Sequence, residues 1–142
     1  IYIPTNYNLD KFFSAIVDFG YVINHNKYYN NHIYYRTIYL LNKEKFLDNN
    51  FLMLKEDERI VSPVATLYYE RYKNKEELLQ KTEEQKENIQ CIVCASPLAP
   101  LLKESGTEWV EFGKTQSPEL WDYADGVYTM EFLISIRINP VG

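Results

Sequence analysis

Two cysteines, two histidines and a run of three carboxylates are the residues of this chain whose types and spacing could do chemistry. Cys91 and Cys94 form Cys-x-x-Cys, the spacing of redox dithiols and of half of many zinc sites. A zinc site needs two further ligands at tight spacing, and neither His25 nor His32 belongs to such a pair. In an extended strand, residues three apart face opposite sides. The expected role of both thiols is therefore structural and buried, with a redox or metal-binding pair and a nucleophilic Cys91 as alternatives. His25 and His32 would share one face of a continuous helix, but two imidazoles without a carboxylate pattern suit hydrogen-bonded surface or interface residues better than ligands. Asn24, Asn30 and Asn31 with Lys27 either line a polar pocket or form a polar loop and helix start. Glu56, Asp57 and Glu58 offer a general base or a clasp for a ribose hydroxyl, against the plainer alternative of a solvated turn. The 5 glycines are scattered, with neither Gly-x-Gly-x-x-Gly nor Gly-x-x-x-x-Gly-Lys among them, so no self-contained phosphate loop is visible.

The chain that must position these groups has 142 residues, 46% hydrophobic and 25% charged, which is an ordinary globular balance. One domain is the default count, and about 68–70% of the unfolded surface can be buried at this size without disulfide staples. With 20 acidic against 15 basic side chains the net charge is -5. A phosphate-neutralising surface would stand against that field, so no nucleic-acid partner is expected. No apolar run reaches the roughly 18–20 residues of a membrane helix, and Ile1-Tyr2-Ile3-Pro4 lacks the basic start of a secretion signal. The expectation is a soluble, cytoplasmic form without a membrane span. Because the chain begins at Ile1 with no initiating Met, it is read as a single domain, or a piece of a larger protein, over 1–142.

Apolar residues at helical spacing predict a helix over 8–19 ending at Gly20, and a second over 32–42 in a stretch rich in Tyr and Asn. Phe51 to Leu54 reads as a short buried strand, and Pro63 to Tyr72 as a second strand after the charged loop Lys55 to Arg59. Asn74 and Glu77 form a capping box for a polar helix over 75–87. Ile89 to Ala95 and Thr107 to Phe112 read as strands. Ser96-Pro97 and Ser117-Pro118 start short helices that end at Gly106 and Gly126. From Tyr128 to Ile138, alternating side chains give the period of a half-buried strand. This alternation of helices and strands argues an α/β fold.

Two stretches together resemble a known superfamily. Glu58-Arg59-Ile60-Val61-Ser62-Pro63-Val64, followed by a strand and the acidic helix start Asn74 to Glu77, is similar to the aldehyde dehydrogenase pattern Glu-x-Phe-Gly-Pro-Val, strand, acidic helix. Glu111-Phe112-Gly113-Lys114, Gln116-Ser117, Glu119-Leu120-Trp121-Asp122-Tyr123 and the stretch Met130 to Ile136 resemble the same superfamily's C-terminal segments. Within it, Asn24 to Tyr28, Ile38 to Asn42, Leu54 to Asp57, Ser62-Pro63 and Asp122 to Met130 resemble acyl-CoA reductases related to the fatty-acid reductase of bacterial bioluminescence.

The resemblance implies the C-terminal part of an aldehyde dehydrogenase-like fold, with a mostly parallel sheet, flanking helices and a C-terminal strand that pairs subunits into a homo-oligomer. It implies reduction of a fatty acyl-CoA or acyl-protein thioester to an aldehyde with NADPH, through a thioester on a cysteine. In this superfamily that cysteine precedes the Glu-x-Phe-Gly-Pro segment and the dinucleotide-binding domain lies earlier still, so this portion is expected to be inactive alone, with NADPH bound mainly by an upstream part. Two roles carry over. The superfamily's Glu holds the nicotinamide ribose; four residues before Pro63 stands Arg59, and Glu58, one further back, takes that role. Phe112 matches the Phe that lines the acyl pocket, with Lys114 in place of a second Gly. The alternative is a non-catalytic binding module whose Tyr/Asn-rich face, Tyr28 to Tyr35, contacts a protein or carbohydrate partner.

Overall fold

The computed structural model describes residues 1–95, 109–115, 117 and 128–138, which fall into two compact units, Ile1–Lys81 and Thr82–Gly142. Strands β1 (Tyr2–Pro4), β2 (Leu47–Asp48), β3 (Met53–Glu56) and β4 (Thr66–Tyr72) build the sheet of the first unit in the order β1-β4-β3-β2. The β1–β4 and β3–β4 pairs are parallel and only β2–β3 is antiparallel. The chain is therefore mixed α/β with a mostly parallel sheet.

Register divides that sheet into two unlike faces. Met53 lies beside Thr66 on one side and Asp48 on the other, and Lys55 lies beside Tyr68. Paired residues share a face, so Asp48, Met53, Lys55, Thr66 and Tyr68 all point one way. Leu54, Leu67, Tyr69 and Ile3 point the other way and form the apolar core with Leu9, Phe12 and Phe13. Helix α1 (Leu9–Ala15) supplies those last three side chains; Asn8 caps it by accepting the Asp10 N–H at 2.8 Å. Helix α2 (Asn26–Leu41) covers the polar face, burying His32 and Tyr39.

Several boundaries differ from the sequence reading for local reasons. The first predicted helix stops at Ala15 and a 3-10 helix, Val17–Asn24, follows, so Gly20 lies inside that turn and is no cap. Helix α2 starts six residues earlier than the apolar spacing indicated, at Asn26, because tertiary contacts override the poor propensity of Tyr and Asn. Tyr28 Oη donates to the Phe51 carbonyl at 2.9 Å, and Asn31 folds back to the Lys27 carbonyl at 2.7 Å. Strand β3 begins at Met53 because the Asn49 side chain takes the N–H groups of Phe51 and Leu52 into a turn. Strand β4 begins at Thr66 because Pro63 accepts the Thr66 N–H in a turn and Ala65 sits at a left-handed φ of 63°. Half of the capping box is present: Asn74 accepts the Glu77 N–H at 2.9 Å, while the Glu77 carboxylate takes the N–H of Lys73, not of Asn74, at 2.8 Å; helix α3 runs Lys75–Glu84, followed by a short 3-10 turn at Lys86–Asn88.

In the second unit, β5 (Ile92–Val93) pairs in parallel with β6 (Trp109–Val110), shorter than the strands predicted over 89–95 and 107–112. The helices predicted after Ser96-Pro97 and Ser117-Pro118 lie outside the described residues. The predicted C-terminal strand is instead helix α4 (Thr129–Ile138). Its letters carry two periods at once: Leu133 breaks the polar side of the alternation, and Met130, Leu133, Ile134 and Ile138 repeat at helical spacing. A helix also satisfies its backbone internally, without a neighbouring sheet edge. The subunit pairing expected of a strand here therefore has no strand to carry it.

Candidate functional site

Beyond the carboxyl end of β3 the chain turns through Asp57, Glu58 and Arg59, and here the sequence's acidic run acquires a geometry. Strands β1, β3 and β4 run parallel, so Pro4, Glu56 and Tyr72 end at the same side of the sheet. That side is where open α/β sheets bind ligands. Glu58 stands two residues past the end of β3, exposed, and its carboxylate makes no hydrogen bond or ion pair among the described residues. Its charge reaches Lys81, whose ammonium is held above the ordinary lysine value chiefly by a hydrogen bond to Glu70 at 2.5 Å.

The neighbours of Glu58 are tied down. Asp57 Oδ1 accepts the Arg59 backbone N–H at 3.1 Å and Arg59 Nε at 2.8 Å, while Oδ2 accepts Arg59 Nη2 at 2.7 Å and Lys55 Nζ at 2.5 Å. Hydrogen bonds from Arg59, then from Lys55, outweigh burial and hold the Asp57 carboxyl well below the usual carboxylate range. Arg59 also lies 4.8 Å over the centroid of the Tyr68 ring. Lys55 is only 8% exposed. Its ammonium sits between the Tyr39 and Tyr68 rings, at 5.7 and 5.4 Å from their centroids, and a second carboxylate, Glu44, holds it at 3.0 Å. Burial works to lower the Lys55 pKa, but the bonds to Asp57 and Glu44 together exceed it and keep the ammonium charged. Burial above all, then the Tyr39 hydroxyl 3.5 Å away, pushes the Tyr68 phenol up.

The turn after α2 delivers Glu44 to this cluster. Lys43 N–H bonds the Leu40 carbonyl at 3.1 Å and Glu44 N–H bonds the Tyr39 carbonyl at 2.9 Å, the paired bonds of a Schellman motif. Lys43 occupies the left-handed position, at φ 56°, where glycine is usual.

His32 and His25 part company. His25 is exposed at the start of α2, whereas His32 is 3% exposed, so the surface placement expected of it is corrected. The helical period that buries Tyr39 also buries His32, one heptad earlier. Its Nε2 lies 3.0 Å from Asp48 Oδ1, and Arg36 Nε donates to Asp48 Oδ2 at 2.8 Å. An Asp–His pair is general-base geometry, but this imidazole is covered and its Nδ1 meets no partner. Its role is to tie β2 to α2. Of the polar pocket considered around Asn24, Asn30, Asn31 and Lys27, the structure brings only Asn31 and Lys27 into contact, through a bond internal to the helix.

The remaining sequence candidates lie in the second unit. Cys91 and Cys94 are unpaired thiols flanking β5; Cys91 is half-buried, Cys94 is buried, and burial pushes the Cys94 thiol up, away from reactivity. Phe112 is 73% exposed. It sits in a turn closed by Lys114 N–H to the Glu111 carbonyl at 3.1 Å, with Gly113 at φ 82°. That is the type II position that requires glycine, so Phe-Gly is needed there to present the ring. Glu58 and Phe112 fall in separate units. Comparison of the chain with protein-family models, with curated proteins and with solved structures gives no match.

Sequence reasoning passed over Lys55, Asp57, Glu44, Tyr39 and Tyr68 as a cluster. One signal was present: Met53 and Lys55 are two apart on a strand, so a buried Met53 places the Lys55 charge at a buried position.

Proposed function

We propose that this chain is the C-terminal portion of an NADPH-dependent acyl-CoA reductase of the aldehyde dehydrogenase-like superfamily, and that within it Glu58 holds the nicotinamide ribose. The observation that carries the reading is the position of Glu58, exposed and unengaged at the carboxyl end of a parallel strand, while Arg59, which stands in the register of the superfamily's Glu, is folded back onto Asp57 and Tyr68. A carboxylate has two acceptor oxygens and no donor, which suits the two hydroxyls of a ribose. That donor–acceptor match is what supports Glu58 as the residue that would hold the ribose.

The overall reaction takes a fatty acyl thioester, NADPH and a proton to an aldehyde, a thiol and NADP⁺. A cysteine thiolate displaces the thiol by attack on the acyl carbonyl; by the resemblance it precedes Glu58, and the first cysteine in this chain is Cys91. Bound NADPH supplies the hydride. Glu58 would hold bound NADPH by accepting hydrogen bonds from its ribose hydroxyls, and Phe112, exposed in the second unit, would offer apolar surface to an acyl chain. In the active enzyme, extended upstream to include that cysteine, Glu58→Gln, which keeps one acceptor oxygen, is expected to raise the Michaelis constant for NADPH about tenfold, the value of one hydrogen bond to a charged group. An unchanged constant removes Glu58 from the site.

A second reading has its own observation. On the outer face of α2, Tyr29, Ile33, Tyr34, Leu40 and Leu41 are exposed, while Tyr28, Tyr35 and Tyr39 reach inward. Two tyrosine rings and three aliphatic side chains there form an exposed apolar patch of the kind that binds a macromolecular partner without catalysis. Activity separates the two readings, since a binding module has no NADPH-dependent turnover in any form.

A further inference from the structure

We propose that Asp57 is a positioning residue for Glu58, fixing the turn that aims the Glu58 carboxylate, with Arg59 and Lys55 as its counter-groups; this rests on the reading of Glu58 as the ribose ligand. Asp57 and Arg59 flank Glu58 and are bonded to each other across it, through the Arg59 N–H at 3.1 Å and the guanidinium at 2.8 and 2.7 Å. The peptide groups on both sides of Glu58 are thereby held.

Asp57 is itself anchored to the sheet. Its N–H bonds the Tyr69 carbonyl at 3.2 Å, and its Oδ2 takes the ammonium of Lys55, which is locked between two tyrosine rings and Glu44. The anchoring thus runs from the turn after α2, through Glu44 and Lys55, to Asp57 and the turn, and leaves the Glu58 carboxylate exposed, with no hydrogen bond or ion pair among the described residues and only the charge of Lys81 acting on it. A ligand-binding carboxylate on an unpinned turn loses backbone freedom on binding, and pinning the turn beforehand removes that cost. Asp57 has no capacity left for cofactor, since both its oxygens are doubly engaged; it acts through Glu58.

The test is the NADPH dissociation constant, read from the nucleotide's fluorescence without acyl-CoA, together with steady-state acyl-CoA-dependent NADPH oxidation by the active enzyme, comparing Asp57→Asn, Arg59→Gln and Glu58→Gln. Arg59 has a side chain 64% exposed, so Arg59→Gln retains the fold even where Asp57→Asn does not. Each of the two positioning variants is expected to raise the dissociation and Michaelis constants for NADPH three- to tenfold, with kcat within twofold and the constant for acyl-CoA unchanged. A merely structural role lowers the amount of active enzyme and leaves the NADPH constant alone. If Glu58→Gln raises that constant and both neighbours leave it unchanged, the positioning role is overturned while the ribose reading stands. If Glu58→Gln leaves it unchanged as well, the ribose reading falls and takes the positioning role with it.

Discussion

Replacing Asp57 by Asn keeps its shape and turns one of its two acceptor oxygens into a donor. Whichever way the amide settles, two of the four hydrogen bonds that Asp57 accepts are lost and the amide N–H₂ faces donors. In either orientation at least one bond from a charged donor is lost, those of Lys55 Nζ and Arg59 Nη2 at one oxygen or that of Arg59 Nε at the other. A hydrogen bond to a charged group contributes about 1.5–3 kcal/mol, and Glu44 still holds Lys55 in the variant, so a loss near the lower end, about 2 kcal/mol, is expected at pH 7. The sign with pH follows from Asp57 being held below the ordinary aspartate value of 3.8. Its contribution is fully present above that value and is lost as pH falls toward the folded-state value, at about 1.4 kcal/mol per pH unit. Urea unfolding followed by circular dichroism at pH 7, 5 and 3 reads both effects. The gap between wild type and Asp57→Asn should stay constant from pH 7 to 5 and narrow by about 1 kcal/mol by pH 3. A gap below about 0.5 kcal/mol at pH 7, the size of an exposed ion pair, or one that does not narrow at pH 3, refutes the reasoning.

Lys43→Gly should stabilise the protein by about 0.5–1 kcal/mol, because relief of the left-handed backbone exceeds the added freedom of the unfolded chain; a lower urea midpoint contradicts the Schellman assignment. An aromatic disulfide reagent should modify Cys91 readily in the folded protein and Cys94 only on unfolding, since burial both covers the second thiol and raises its pKa. Equal folded-state rates for the two thiols, measured on the single-cysteine variants, contradict that assignment.

What the sequence made legible follows from how local each cause is. The cap that Asn74 places on Glu77 and the short strand around Met53 and Leu54 depend on neighbours in the chain, and both lie within a few residues of where the sequence puts them. Strand β1 and strand β2 exist only through pairing with distant partners: β1 joins β4 across nearly the whole first unit, and the two residues of β2 carry no period of their own. The C-terminal helix reads as a strand in the sequence because one string of apolar residues satisfies both a two-residue and a helical repeat. The acidic run was legible as candidate chemistry, but it took the fold to separate its members, leaving Glu56 and Glu58 exposed and giving Asp57 to Lys55 and Arg59. No local pattern announces that separation, because Lys55 is held by Glu44, Tyr39 and Tyr68 from other elements.

Acyl-CoA-dependent oxidation of NADPH, followed in parallel on this chain and on a form extended upstream, tests the reductase assignment most directly. Turnover by the extended form alone is the predicted result, and it directs the search for the nucleophile to a cysteine ahead of Glu58. Turnover by this chain alone contradicts the account and restores Cys91 as the nucleophile, and silence from both contradicts it in favour of the exposed tyrosine face of α2.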